Sequence, residues 1–441
     1  MTGARDRAAA RGRGVLELIA HPRTSQALAV VIAATSLSSA FLRALLGWGG
    51  FLAALIAMAA LAGVSLWAQR DRIEWRGVLP ISVLAFFAWM LVSVFFSQYG
   101  WISAGAALYA VLFGLLGTWL ALARDLIQVI RAFGDALRAI LAVGLVLEVL
   151  SGIILDVPLH LIGITGSIAN GGPIQGIAGT RNYLGYLACL AVITFLTEWR
   201  TRSVERPRAL FSLALVAVTL LFARSPVTFV VLVVIGVAAV AVYALRRVPA
   251  RRRPIAQFVV AGIVVAGAVA AWMLRRPIID LLNAASDFDS RSGQWSRVLQ
   301  LSQLHQLEGW GWVGIWRPEV FPYSFLSQGD DGKSFDSALN AALDAYFQLG
   351  IIGVILLGAA FALAMTRAWL VGTENPNTTY AWPALVLVLL AATSLAESYL
   401  LFEGGLLLFV TCALAAARKR SWRHRLSSPV GTGREDAPRA D

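Results

Sequence analysis

Residues 226–245 read PVTFVVLVVIGVAAVAVYAL, with Arg224 just before them and Arg246 and Arg247 just after. A helix rises about 1.5 Å per residue, so this run is about 30 Å long, the thickness of a bilayer's hydrocarbon core. A helix apolar on every face has no side to show water. The run is therefore expected to cross a membrane.

Similar runs recur outward in both directions, near 27–42, 45–68, 78–96, 101–122, 136–155, 181–198, 209–223, 255–274, 346–366, 380–399 and 401–416. The chain is 58% hydrophobic and 14% charged, against roughly 25% charged in soluble domains. The expected fold class is all-α: a polytopic transmembrane helical bundle of about twelve spans, since only helices or closed barrels satisfy the backbone in lipid. Its expected parts are a basic cytoplasmic N-terminus (1–26), nine spans (27–274), one large extracytoplasmic loop (275–345), three further spans (346–416) and a cytoplasmic tail (417–441).

The net charge of +12 sits in short connections between spans, which is the positive-inside pattern and not a nucleic-acid-binding face. No nucleic-acid partner is expected, and both termini are placed in the cytoplasm. Cys189 and Cys412 fall inside spans, and His160 and His305 are far apart, so neither a disulfide nor a metal site is expected. No cofactor is expected. All basic residues but Lys333 and Lys419 are arginine, a usage that points to a GC-rich bacterial genome and so to a bacterial plasma membrane.

The side where cations are normally depleted keeps Arg43, Arg181, Arg224, Arg275, Arg276, Arg291, Arg297, Arg317 and Lys333. With no ATP-binding loop, such arginines suit a substrate that brings its own energy and negative charge, such as a phosphate or diphosphate. Arg224 lies in a very short turn, LLFARSPVTFVV (220–231), where proximity to hydrocarbon costs up to ~2.5–3.5 kcal/mol. Snorkelling to headgroups is the plainer reading of it. For Arg291, in DFDSRSGQWSRVLQ, the plainer reading is a surface pair with Asp287 or Asp289.

Within the long loop, residues 292–307 are expected to form a helix along the membrane surface, burying Trp295, Val298, Leu299 and Leu307, with Asp289 or Ser290 as its cap. Trp310, Trp312 and Trp316 follow, as sugar-stacking faces or as an interfacial aromatic belt. Asp330, Asp331 and Asp336 lack the spacing of a calcium loop and read as a solvated turn. Next comes SALNAALDAYFQLGIIG (337–353), where Asn340, Asp344 and Gln348 share one helical face. They either line a cavity or bond to neighbouring helices.

Taken together, SRSGQW, EGWGWVGIW and NAALDAYFQLGIIG resemble the C-terminal signature of the O-antigen ligase and polymerase family, including the exopolysaccharide polymerases grouped with it. Arg291 and Trp295 match its Arg-x-x-x-Trp pair, Gly309 and Gly311 its Gly-x-Gly turn, and Asn340, Leu343, Asp344, Leu349, Gly350 and Gly353 its helix start. Gly176, Gly179, Asn182 and Gly185 match an upstream Gly-x-x-Gly-x-x-Asn-x-x-Gly element. FARSPVTF resembles the family's Ser-Arg hairpin with Arg224 displaced by one residue.

The resemblance implies a class C glycosyltransferase-like fold and a polyprenyl diphosphate-linked glycan as substrate. The glycan passes to an acceptor hydroxyl in cell-surface polysaccharide assembly, without a metal, and other polysaccharide-assembly proteins are expected partners. It implies Arg291 and the displaced Arg224 on the diphosphate and Asn340 in the catalytic group; Arg181, as another outer-face cation, is expected beside them, and Trp310, Trp312 and Trp316 are the candidate glycan-binding faces. Where the family carries histidines before the asparagine, this chain has Leu339 and Ser337, and Gln348 replaces the family's usual Glu. The proton-accepting role then falls to Asp344 or Asp336, or is not needed. The alternatives are a twelve-span secondary transporter of lipid-linked sugars and a catalytically silent family member. Against the transporter, the long connection is expected outside and late in the chain, not in the cytoplasm at mid-chain.

Overall fold

The computed structural model describes residues 22–71, 80–329 and 334–419. Most of both expected cytoplasmic termini, and Asp330, Asp331 and Lys333, lie outside the described residues. Among the described residues the chain is all-helical, with isolated bridges but no strand.

The helices in chain order are α1 (Pro22–Leu37), α2 (Ser39–Ala68), α3 (Ile81–Val92), α4 (Gly100–Ala123) and α5 (Leu126–Val149). After a connection containing several short turns come α6 (Arg181–Thr201), α7 (Arg206–Ala223), α8 (Pro226–Arg247) and α9 (Arg253–Met273). The connection that follows holds α10 (Arg275–Leu281), α11 (Ala285–Ser302) and the short α12 (Tyr323–Leu326). The chain closes with α13 (Ala341–Glu374), α14 (Trp382–Ser394) and α15 (Glu403–Lys419). Among the described residues, seven helices are long and apolar enough to cross a membrane, counting α5 with the turn that extends it to Leu155. α3 and α14 are apolar but shorter.

The centre of the bundle is α14 and α15: Trp382 and the residues from Ala384 to Leu390 are buried, as are Leu406 to Val410. α15 packs on α4 and α13, and α14 on α8, α13 and α6. α9 buries none of its residues, so its apolar surface faces lipid, where no hydrophobic penalty applies.

α13 is broken at Gly350, whose φ of 67° and ψ of −169° only glycine adopts readily. The break releases carbonyls that a continuous helix would have used, and the loop 309–311 takes them up. Trp310 N–H donates to the Phe347 carbonyl at 3.0 Å and Gly311 N–H to that of Gln348 at 2.9 Å. The Trp89 indole donates to the Leu349 carbonyl at 2.9 Å. A Cβ on Gly309 would lie 2.5 Å from the backbone at 348–350. The Gly-x-Gly turn and the Leu-Gly-x-x-Gly element are thus two halves of one backbone-to-backbone joint.

α11 begins at Ala285, ahead of the caps expected at Asp289 or Ser290. Its buried residues are Gln294, Val298 and Ser302, whereas Leu299 and Leu307 are exposed. Half of the expected face is met, since Val298 is buried and Trp295 half-buried; Gln294 and Ser302 take the other buried positions because they bond to the carbonyls of Leu326 and Val298. Satisfied in this way, polar side chains bury at little cost.

Candidate functional site

Four elements meet where α6 and α8 begin. Thr180 caps α6 by accepting from Tyr183 N–H at 3.1 Å, and Ser225 caps α8 by accepting from Thr228 N–H at 3.2 Å. The two starts are pressed together because α6 has Gly185, where a Cβ would collide with Thr228. The Ser225 hydroxyl donates to Asn182 Oδ1 at 2.8 Å. Asn182 Nδ2 donates to Glu397 Oε1 at 2.7 Å. Arg291 Nη2 of α11 donates to the same oxygen at 2.9 Å, and Nη1 to the Ala396 carbonyl.

Glu397 is the residue that sequence reasoning missed. It sits in the connection between α14 and α15, and its side chain is 7% exposed beside that of Arg291 at 11%. Burial pushes its carboxyl above the usual carboxylate range, with the Arg291 guanidinium opposing that and Asp336 adding to it. The available signal was a lone carboxylate in an otherwise apolar run, SLAESYLLF (394–402), since such residues are rarely placed there without a role.

A pocket of about 420 Å³ opens beside this chain of hydrogen bonds. Arg181, Asn182, Asp287, Ser290, Arg291 and Leu339 line it, together with Phe335 and with Thr165, Ser167, Thr180 and residues 173–175 of the α5–α6 connection. Arg181 pairs with Asp287, both about one-third exposed. Leu339 occupies the left-handed region at φ 52°. Trp295 holds that turn by donating its indole N–H to the Ala338 carbonyl at 3.0 Å.

Of the arginines expected together, Arg181 and Arg291 share this pocket. Arg224 does not line it: exposed, at φ 44°, it lines a neighbouring cavity of about 290 Å³ with Phe229 and Leu282. Its guanidinium lies beside Gly171, where a Cβ would be 3.2 Å from Nη2.

Asp344, expected to accept a proton, is fully buried and does not line the pocket. It accepts from the Trp316 indole at 2.9 Å, Gln348 Nε2 at 2.9 Å and Ala338 N–H at 3.2 Å. Gln348 accepts in turn from the N–H groups of Val313 and Gly314, both at 2.9 Å. Asn340 caps α13 by accepting from Ala342 and Leu343 N–H, and donates to the Leu395 carbonyl at 3.2 Å. The polar face of this helix is therefore a set of pins that fix the 309–316 loop and the turn carrying Leu339. Asp336 is exposed, and its backbone carbonyl accepts from Trp316 N–H at 2.9 Å.

Trp310, Trp312 and Trp316 are 5%, 1% and 3% exposed, so none offers an open face to a sugar. They are packed inside the protein because their neighbours are Phe347, Tyr323 and Phe402. A second cavity of about 400 Å³ is lined by Trp48, Trp101, Tyr109, Arg317 and Glu403, with Trp312 in its wall, and the Arg43 and Arg317 guanidinium groups lie over the Trp48 ring, which leaves Trp101 as its open aromatic face. Trp48 and Trp101 are 41% and 93% exposed. Among the described residues no group of three metal-ligating side chains is found.

Fold and site together define a polytopic helical membrane protein with an arginine-bearing polar pocket at one end of its bundle. Residues 209–358 match the sequence model for the O-antigen ligase family. No curated protein sequence matches the chain. The matched segment supplies Arg224, Arg291, Leu339 and Asn340, while Arg181, Asn182 and Glu397 come from outside it.

Proposed function

We propose that the chain is an extracytoplasmic glycosyltransferase of the bacterial plasma membrane, with about twelve spans and both termini cytoplasmic. It transfers a glycan from a polyprenyl diphosphate carrier to an acceptor hydroxyl. The observation that carries this reading is the convergence of Arg181 and Arg291 on one pocket, with Arg291 fixed from behind by buried Glu397. Two guanidinium groups grip diphosphate oxygens well where water is scarce. Arg224, one residue from the hydrogen-bonded Ser225, is the proposed contact to the part of the carrier nearest the lipid.

In the reaction, the acceptor oxygen bonds to the anomeric carbon, the bond from that carbon to the diphosphate oxygen breaks, and the hydroxyl proton leaves. Asp287 lines the pocket and is paired with Arg181. When the diphosphate takes over Arg181, Asp287 is released to accept that proton. Asp336, outside the pocket lining but near enough to act on Glu397, is the second candidate. The cavity beside Trp48 and Trp101 is the proposed resting place for glycan.

Replacing Arg291 by Ala should abolish surface glycan assembly with the protein still inserted, and Asp287→Asn should lower turnover while donor still binds. Glycan length and amount unchanged in the Arg291 variant, measured by gel analysis of a deletion strain carrying it, would overturn the proposal.

A further inference from the structure

The largest of the cavities described lies at the other end of α6. It has a volume of about 1300 Å³ and runs between the last turns of α6 and the second half of α8, with Leu385 of α14 behind it. Along α8 its wall is Leu232, Ile235, Gly236, Ala239, Val240 and Tyr243, a spacing of three and four that keeps one helical face toward it. Val192, Ile193 and Leu196 of α6 face them. α8 is long and apolar enough to cross a membrane, and an apolar cleft of this size along it calls for something apolar to fill it.

Its mouth has different chemistry. Arg200, Arg202, Arg246 and Arg247 line it, and no carboxylate does. Two of these arginines are held in place. The Tyr243 ring has the Arg200 guanidinium 4.6 Å from its centroid and that of Arg246 4.9 Å away. Arg246 also donates to the Gly372 carbonyl at 2.8 Å and the Asn377 carbonyl at 3.3 Å. Arginines that served only to orient the chain would need no such fixing and no shared cavity.

We propose that this cleft binds an anionic phospholipid, its acyl chains along α8 and its phosphate among Arg200, Arg202 and Arg247. Greasy walls beneath a basic rim between membrane helices match such a lipid and not a soluble anion. The inference does not rest on the transferase reading, and a chain inactive in glycan transfer gives the same result.

The test is native mass spectrometry of the full chain released from nanodiscs containing equal phosphatidylglycerol and phosphatidylethanolamine. The protein should retain phosphatidylglycerol preferentially. Arg200→Gln combined with Arg247→Gln, which spares the Arg246 anchor, should weaken that retention roughly tenfold or more, at about 1 kcal/mol per arginine. Gly236→Leu is an independent steric test, because a Cβ there meets nothing within 4 Å and the side chain would occupy the cleft. It should displace the lipid with the arginines intact. Equal retention of both lipids, or undiminished phosphatidylglycerol in both variants, would overturn the proposal.

Discussion

Leu339 holds a left-handed backbone conformation at φ 52° on the wall of the pocket. That conformation costs a leucine roughly 1–2 kcal/mol, and the turn keeps it because Asn340, Trp295 and Asp344 fix the residues around it. Leu339→Gly should therefore raise the melting temperature, by about 1 kcal/mol of stability, as thermal unfolding in detergent would show. Glu397 allows a second prediction at this scale. Its carboxyl sits above the usual range, so the folded chain binds a proton where the unfolded one has released it. Stability should accordingly fall as pH rises from the ordinary glutamate value of about 4.3 through the raised one. Glu397→Gln should flatten that slope, whereas Glu397→Ala should cost roughly 3 kcal/mol by stranding Arg291. Arg291 and Asn182 were legible in the sequence as candidates. Their common partner was not, because residue 397 fell inside an expected span and its burial depends on chain contacts 106 and 215 residues distant.

At the level of elements, the positions of most helices followed from apolar length, but not what their polar residues do. Asp344 and Gln348 lie on one face of α13, as their spacing of four requires, with Asn340 as the cap just before the helix, and that spacing is the same for a cavity wall and for a set of pins. Only the loop docked against them decides, and its path is set by the break at Gly350. The tryptophans near 310–316 were undecidable for a related reason: outside a periodic element, hydrophobicity has no direction. The joint itself is testable. Gly309→Ala places a Cβ 2.5 Å from backbone atoms at a φ of 75°, which should cost at least ~2 kcal/mol. A melting temperature unchanged from wild type would show that the two glycine elements do not bear on each other.

Across the whole molecule, the proposed orientation has a direct readout. Both cysteines, Cys189 and Cys412, are fully buried, so a single introduced thiol reports without background. Thr165→Cys at the pocket should react with a membrane-impermeant maleimide in intact cells, and Arg247→Cys only after permeabilisation. The reverse pattern would invert the topology and remove the pocket from the exterior. The pocket also joins residues that are made far apart in time. Arg291 is bonded to Glu397, which lies 106 residues further along the chain. At about 5–20 residues per second of synthesis, that guanidinium waits on the order of ten seconds for its counter-charge. A nascent chain thus carries its proposed anion grip unbraced until the connection between α14 and α15 has been made.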